Sequence, residues 1–222
     1  MEKITLGRFK VELDYSTNRN QSLVSKELIK ILKKFEMSEG VEKILEKSKF
    51  EYLAGLAYPN ASQSILYMCH LWNVWLFFVD DFLDKNQDIG KNLRYATSII
   101  KSIIEAMNSD RIDEKQPKFY RFTNYVGKVV KKKMEHNSGA NTKSLDSSKS
   151  EETSQFSMFF KLVEDYLING SLKTVDLWSK GQTPSIDEYL NYRLSDSGML
   201  TVVRFIGMAN GLVLKHDFYK RR

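Results

Sequence analysis

Asp80, Asp81 and Asp84 fall within one turn of a stretch that reads WLFFVDDFLD. Positions three and four apart share a helix face, so a helix here sets Asp84 beneath both other aspartates. Among the residues three or four positions from Asp80 and Asp81, only Lys85 is basic. Asp88 and Gly90 follow closely, which puts the cluster near a helix C-terminus. Negative charge there opposes the helix dipole by roughly 0.3–1 kcal/mol per group, and like-charge neighbours add to that cost. Divalent cations that prefer oxygen ligands relieve such crowding. Magnesium typically takes one or two carboxylates and completes its shell with water and phosphate oxygens. The aromatic residues just before the aspartates add ring faces that can stabilise a cation. This combination suits a metal-held diphosphate at the mouth of a pocket with aromatic walls deeper in. The competing reading is a solvated acidic helix end paired with distant lysines.

Arg193 is the second residue suited to such chemistry, in the segment PSIDEYLNYRLSDSGM. Its planar guanidinium matches phosphate oxygens two at a time. An ordinary ion pair with Asp196 or Glu188 is the alternative. Ser197 and Gly198 follow, and the glycine permits a bend in the chain.

The elements that must carry these residues read as helices. The chain has 222 residues, 42% hydrophobic and 28% charged, enough for one domain with a substantial core. Three prolines and eleven glycines leave room for long helices. Residues 1–20 lack a helical stripe and read as an extended N-terminal arm, with a short alternating run from Ile4 to Leu13. Apolar residues at three-and-four spacing from Leu23 to Phe35 predict an amphipathic helix. Further helices are expected over Val41–Lys47 and 48–57, the latter stopped by Pro59. The run SQSILYMCHLWNVWLFFVDDFLD is apolar nearly all round and belongs in the middle of a bundle. Leu93–Met107 and Phe119–Lys133 are two more helices, separated by the loop DRIDEKQP. Residues 136–152 are rich in serine, asparagine and lysine and read as a flexible surface loop within one domain. Helices resume over Phe156–Trp178, with a break near Asn169-Gly170, and over Ile186–Leu214, where Ser185 and Glu188 form a capping box.

Several function classes recede. The single Cys69 excludes an intrachain disulfide framework and a thiolate zinc cluster. No stretch reaches the roughly 20 apolar residues of a spanning helix, and the N-terminus has no signal-peptide core, so a cytoplasmic protein is expected. The formal charge of +6 is modest for this length. The run Lys128, Lys131, Lys132, Lys133 reads as a solvated helix face ahead of a nucleic-acid or membrane contact.

DDFLD is an Asp-Asp-x-x-Asp motif, and with its lead-in YPNASQSILYMCHLWNVWLFFV it resembles the first metal-binding helix of class I terpene synthases of the microbial and social-amoeba type. PSIDEYLNYRLSDSGM is similar to the same family's helix with a diphosphate-sensing arginine, a linker residue and a small effector residue. The resemblance covers about residues 48–212 and implies an all-α class I terpenoid-synthase bundle around an apolar pocket. By this likeness Asp80 binds magnesium, Asp81 assists or pairs with a basic residue, and Asp84 is a weaker or water-mediated partner. Arg193, Asp196 and Ser197 take the sensor, linker and effector roles, and Trp178 stands in a familiar place before their helix. Phe77 would line the pocket with Asn73 and Leu76 nearby, although plain core packing serves Phe77 equally well. The implied activity is a carbon–oxygen lyase acting on geranyl, farnesyl or geranylgeranyl diphosphate, with Mg2+ as a multi-metal cluster in intact relatives. The family's second metal motif, Asn-Asp-x-x-Ser-x-x-x-Asp/Glu, has no match after Arg193. The expectation is therefore one partial synthase domain over 1–222, incomplete at its C-terminus. Alternatives are an inactive helical fragment or binding protein and, further back, a chain-elongating prenyltransferase.

Overall fold

The computed structural model describes residues 16–37, 50–84, 87–90, 92–141 and 154–212. All regular elements among them are helical. The expected helix over Val41–Lys47, and the expected arm up to residue 15, lie outside the described residues.

Helix α1, Gln21–Lys34, buries Val24, Leu28 and Leu32 on one face, the stripe its spacing predicts. Just before it, Asn18 is buried and its Nδ2 donates to the carbonyls of Tyr58 and Ala61, at 2.9 and 2.8 Å. The amide thus satisfies two carbonyls at the end of α2, Phe50–Ala57, which stops ahead of the Tyr58-Pro59 step. Helix α3, Gln63–Asp84, is the centre of the molecule. It packs against α1, α2, the single turn α4 (Gln87–Gly90), α6 (Lys118–Asn141) and α10 (Met199–Ala209). That is why Leu66, Met68, Leu71, Trp72, Trp75 and Val79 can be buried on all its sides. Trp72 and Trp75 stack with centroids 4.6 Å apart, and the Trp75 indole donates to Thr123 Oγ1 of α6 at 3.0 Å.

Helix α5, Leu93–Asn108, is capped by Asn92, whose side chain accepts from the Tyr95 amide. The expected loop after it is present, and α6 then runs to Asn141, beyond the predicted end at Lys133. The predicted loop over 136–152 is corrected at its start, because residues 136–141 are helical; 142–153 lie outside the described residues. Met134 is still buried, so the core-facing stripe continues just past the lysines. Once nucleated, a helix adds polar residues at little cost. Lys131 pairs with Asp110 at 3.4 Å and lies 5.8 Å over the Phe156 ring, consistent with a solvated helix face.

Helix α7, Gln155–Asp165, passes directly into a π-helical segment, Tyr166–Ser171, and then α8, Leu172–Ser179. The break expected near Asn169-Gly170 is this widened turn. Helix α9, Ile186–Asp196, opens with the predicted capping box: the Glu188 amide donates to Ser185 Oγ at 3.2 Å, and the Ser185 amide to Glu188 Oε2 at 2.8 Å. The Ser185 amide, and after it the Ser185 hydroxyl, hold the Glu188 carboxyl below its ordinary range. The last predicted helix, Ile186–Leu214, is two helices: α9 and α10 meet at Ser197-Gly198, where Gly198 adopts φ +63°, and α10 ends at Ala209.

Candidate functional site

Asp80 and Asp81 are exposed on the last turn of α3. Asp84 ends that helix, and its side chain lies outside the described residues. Across from α3, the π-helical segment fixes where α9 can sit. A Cβ on Gly170 would stand 2.4 Å from the Cα of Asp196, so only glycine allows the two backbones this close. Ser195 is buried and its hydroxyl donates to Asp165 Oδ2 at 2.6 Å, while Asn169 donates to the other oxygen at 2.7 Å. Thr174 of α8 donates to Asp196 Oδ1 at 3.1 Å. The last turn of α9 is thus tied to α7, the π segment and α8.

That turn carries Arg193. Its Nη1 donates to Asp196 Oδ2 at 3.0 Å, and its guanidinium lies 5.9 Å from the Tyr189 ring centroid. The intrahelical ion pair weighed as the alternative for Arg193 therefore forms, with Asp196 rather than Glu188 as the partner. It does not exhaust the side chain, because a guanidinium has five N–H donors. Half-exposed Arg193 and Asp80 open onto the same cleft of about 460 Å3, walled also by Thr174, Trp178, Tyr189 and Asp196. Residues 113 positions apart in sequence, 193 less 80, are brought to one cavity.

The other sequence candidates fall around it. Asp81 is exposed and is not among the residues lining this cleft. Phe77 is 51% exposed and also lies outside the lining. Three helical positions turn the chain through about 300°, which puts Phe77 on the face adjoining that of Asp80. The aromatic surface of the cleft comes instead from Trp178, Tyr189 and Tyr192. Asn73 is buried in the core. Ser197 turns back on its own helix end, donating to the Leu194 carbonyl at 2.9 Å. Gly198 lies against α3, and a Cβ there would be 3.3 Å from Leu76 Cδ2. Thr174, Tyr189 and Tyr192 were not singled out from sequence. Tyr189 and Arg193 are four apart, a spacing that places a ring beside a cation and was there to be read.

A family model described as "Terpene synthase family 2, C-terminal metal binding" matches residues 71–222, which include both Asp80 and Arg193. The chain belongs to the terpene synthase family. A germacrene A synthase of Nostoc punctiforme is 23% identical over 177 residues, covering 80% of this chain and 49% of that protein. The SVS_A2 protein from ancestral sequence reconstruction superposes with a TM-score of 0.75 at 16% identity, covering 94% of this chain and 59% of the other. Germacradien-4-ol synthase from Streptomyces citricolor gives 0.70 at 13% identity, with 96% and 63% covered. These structures are class I terpene synthase helical bundles, and the likeness establishes that fold for this terpene synthase family member. The chain spans about half the length of the curated relative and about three fifths of the SVS_A2 structure.

Carboxylate oxygens are the donor type that magnesium prefers, and one or two of them per ion is its usual protein share. Asp80 at the cleft, with Asp81 beside it, fits that demand. Among the described residues no group of three or more His, Cys, Asp or Glu side chains comes together as a complete metal cage.

Proposed function

We propose that this family member contributes a diphosphate-binding wall for Mg2+-dependent ionisation of a prenyl diphosphate, followed by cyclisation or rearrangement and proton loss. The observation that carries the reading is the shared cleft, with carboxylate Asp80 on one wall and the Arg193 guanidinium on the other. Asp80 and Asp81 would hold magnesium, which when bound supplies charge stabilisation for a diphosphate leaving group. Arg193 offers its remaining N–H donors to diphosphate oxygens, with Asp196 and Tyr189 fixing its plane. In the reaction the bond between prenyl carbon and diphosphate oxygen breaks, and the oxygen keeps the electron pair. The allylic cation left behind is stabilised by aromatic faces, and loss of a proton from carbon gives the olefin. Geranyl, farnesyl and geranylgeranyl diphosphate are the candidate substrates.

Incubating the protein with Mg2+ and each of the three diphosphates, followed by gas chromatography–mass spectrometry, tests this reading. A terpene hydrocarbon or alcohol that disappears in Asp80→Asn supports it. Folded protein that yields no product with any of the three overturns the catalytic reading. A second reading is a helical protein that binds diphosphate without turnover. Binding without product is its signature.

A further inference from the structure

One face of α3 does three different things at successive turns. Trp72, Leu76 and Asp80 are spaced four apart and so follow one another along that face. Asp80 opens onto the cleft, Leu76 packs against Gly198, and Trp72 makes a hydrogen bond to α10. That bond runs from the Trp72 indole to Thr201 Oγ1 at 2.9 Å, and the Thr201 hydroxyl donates in turn to the Gly198 carbonyl at 2.6 Å. Both Trp72 and Thr201 are fully buried. The indole cannot drift, because it stacks on Trp75 and meets Phe159 and Phe205 edge-on, at 4.8 and 6.0 Å. Gly198 is the left-handed residue at the α9–α10 break, and the turn before it ends α9 with Arg193 and Asp196.

We propose that Thr201 is a positioning residue that sets the register between the aspartate helix α3 and the arginine helix α9. Its hydroxyl links the fixed indole of one wall to the break that aims the other. The inference rests on the proposed diphosphate site. A buried indole N–H needs some acceptor, and a serine or threonine anywhere nearby would satisfy it. Here the acceptor donates its own hydrogen bond to the carbonyl of the left-handed residue itself. The Thr201 amide also bonds that carbonyl, at 3.1 Å, so losing the hydroxyl loosens the break to the backbone tie alone and leaves the indole without its acceptor. Small errors in placing a binding group are costly, of order a hundredfold in rate for about 1 Å.

The test compares wild type with Thr201→Val, Thr201→Ser and Trp72→Phe. Binding of inorganic diphosphate in Mg2+ buffer is measured by calorimetry on protein shown to be folded by circular dichroism. Thr201→Val should bind about tenfold more weakly, with faster amide exchange over residues 195–199, and Thr201→Ser should restore both. A folded Thr201→Val that binds as wild type does would mean the hydroxyl only satisfies the indole, and overturns the proposal. If Thr201→Val does not fold, Trp72→Phe decides: weakened binding supports the proposal, and unchanged binding overturns it. A wild-type protein that does not bind diphosphate sinks the underlying site, an outcome distinct from wild-type binding with insensitive variants.

Discussion

An arginine that already holds a carboxylate can also bind an anion, provided that its geometry is fixed and donors remain. Arg193 meets both conditions through Asp196 and Tyr189. Arg193→Lys keeps the charge but loses the planar fork, and should weaken Mg2+-dependent diphosphate binding about tenfold by calorimetry. At the same scale, His70 is a buried histidine on α3 whose two ring nitrogens have no hydrogen-bond partner among the described residues. Burial pushes its pKa down from 6.5 to about 4. The unfolded chain therefore takes up a proton near pH 6.5 while the folded one resists until about pH 4. The native state is favoured above the higher value and loses stability as pH falls between the two, by on the order of 3 kcal/mol. Urea unfolding at pH 7 and pH 5 should show a smaller acid loss in His70→Leu than in wild type. Equal losses would contradict the assignment.

The element scale separates what was legible in the sequence from what was not. The apolar run before Asp80 announced a central helix, and Ser185 with Glu188 announced the start of α9, because both signals are local. The end of α6 was misjudged, since polarity after Lys133 resembles a loop while Met134 still reaches the core. The clamp on α9 was invisible. Asp165 and Ser195 are 30 residues apart, and nothing near either one signals the other. The broken segment at Asn169-Gly170 was foreseen, but the need for glycine there comes from Asp196 on another helix. Gly170→Ala tests that need. Alanine gains up to about 1 kcal/mol of helix propensity, but the clash with the Asp196 backbone costs about 1–3 kcal/mol, so the clash should win. A lower melting temperature and faster amide exchange in α9 are expected; a melting temperature equal to or above wild type would contradict the close approach.

At the scale of the molecule, the helical bundle could be read from sequence, and Asp80 and Arg193 were singled out there as candidates. The rest of the rim was legible only in part: Trp178 and the Tyr189–Arg193 spacing carry local signals, but Thr174 and Tyr192 come from α8 and α9 and meet only in three dimensions. One apolar face stands outside the packed core of the described residues. Ile186, Leu190 and Leu194 lie four apart along α9 and are 78%, 63% and 40% exposed. A stripe of that kind attracts apolar probes. Leu190→Ser should reduce the fluorescence of a bound naphthalene sulfonate dye without lowering the melting temperature.

The claim that joins these scales is that Asp80 and Arg193 act on one ligand. Their coupling is measured by a double-mutant cycle on Mg2+-dependent affinity for inorganic diphosphate, using Asp80→Asn, Arg193→Lys and the double variant. If both grip the same diphosphate, each single change weakens binding and the double variant departs from the sum of the singles by about 0.5–3 kcal/mol. Losses that simply add, or wild-type affinity in either single variant, would contradict a shared site.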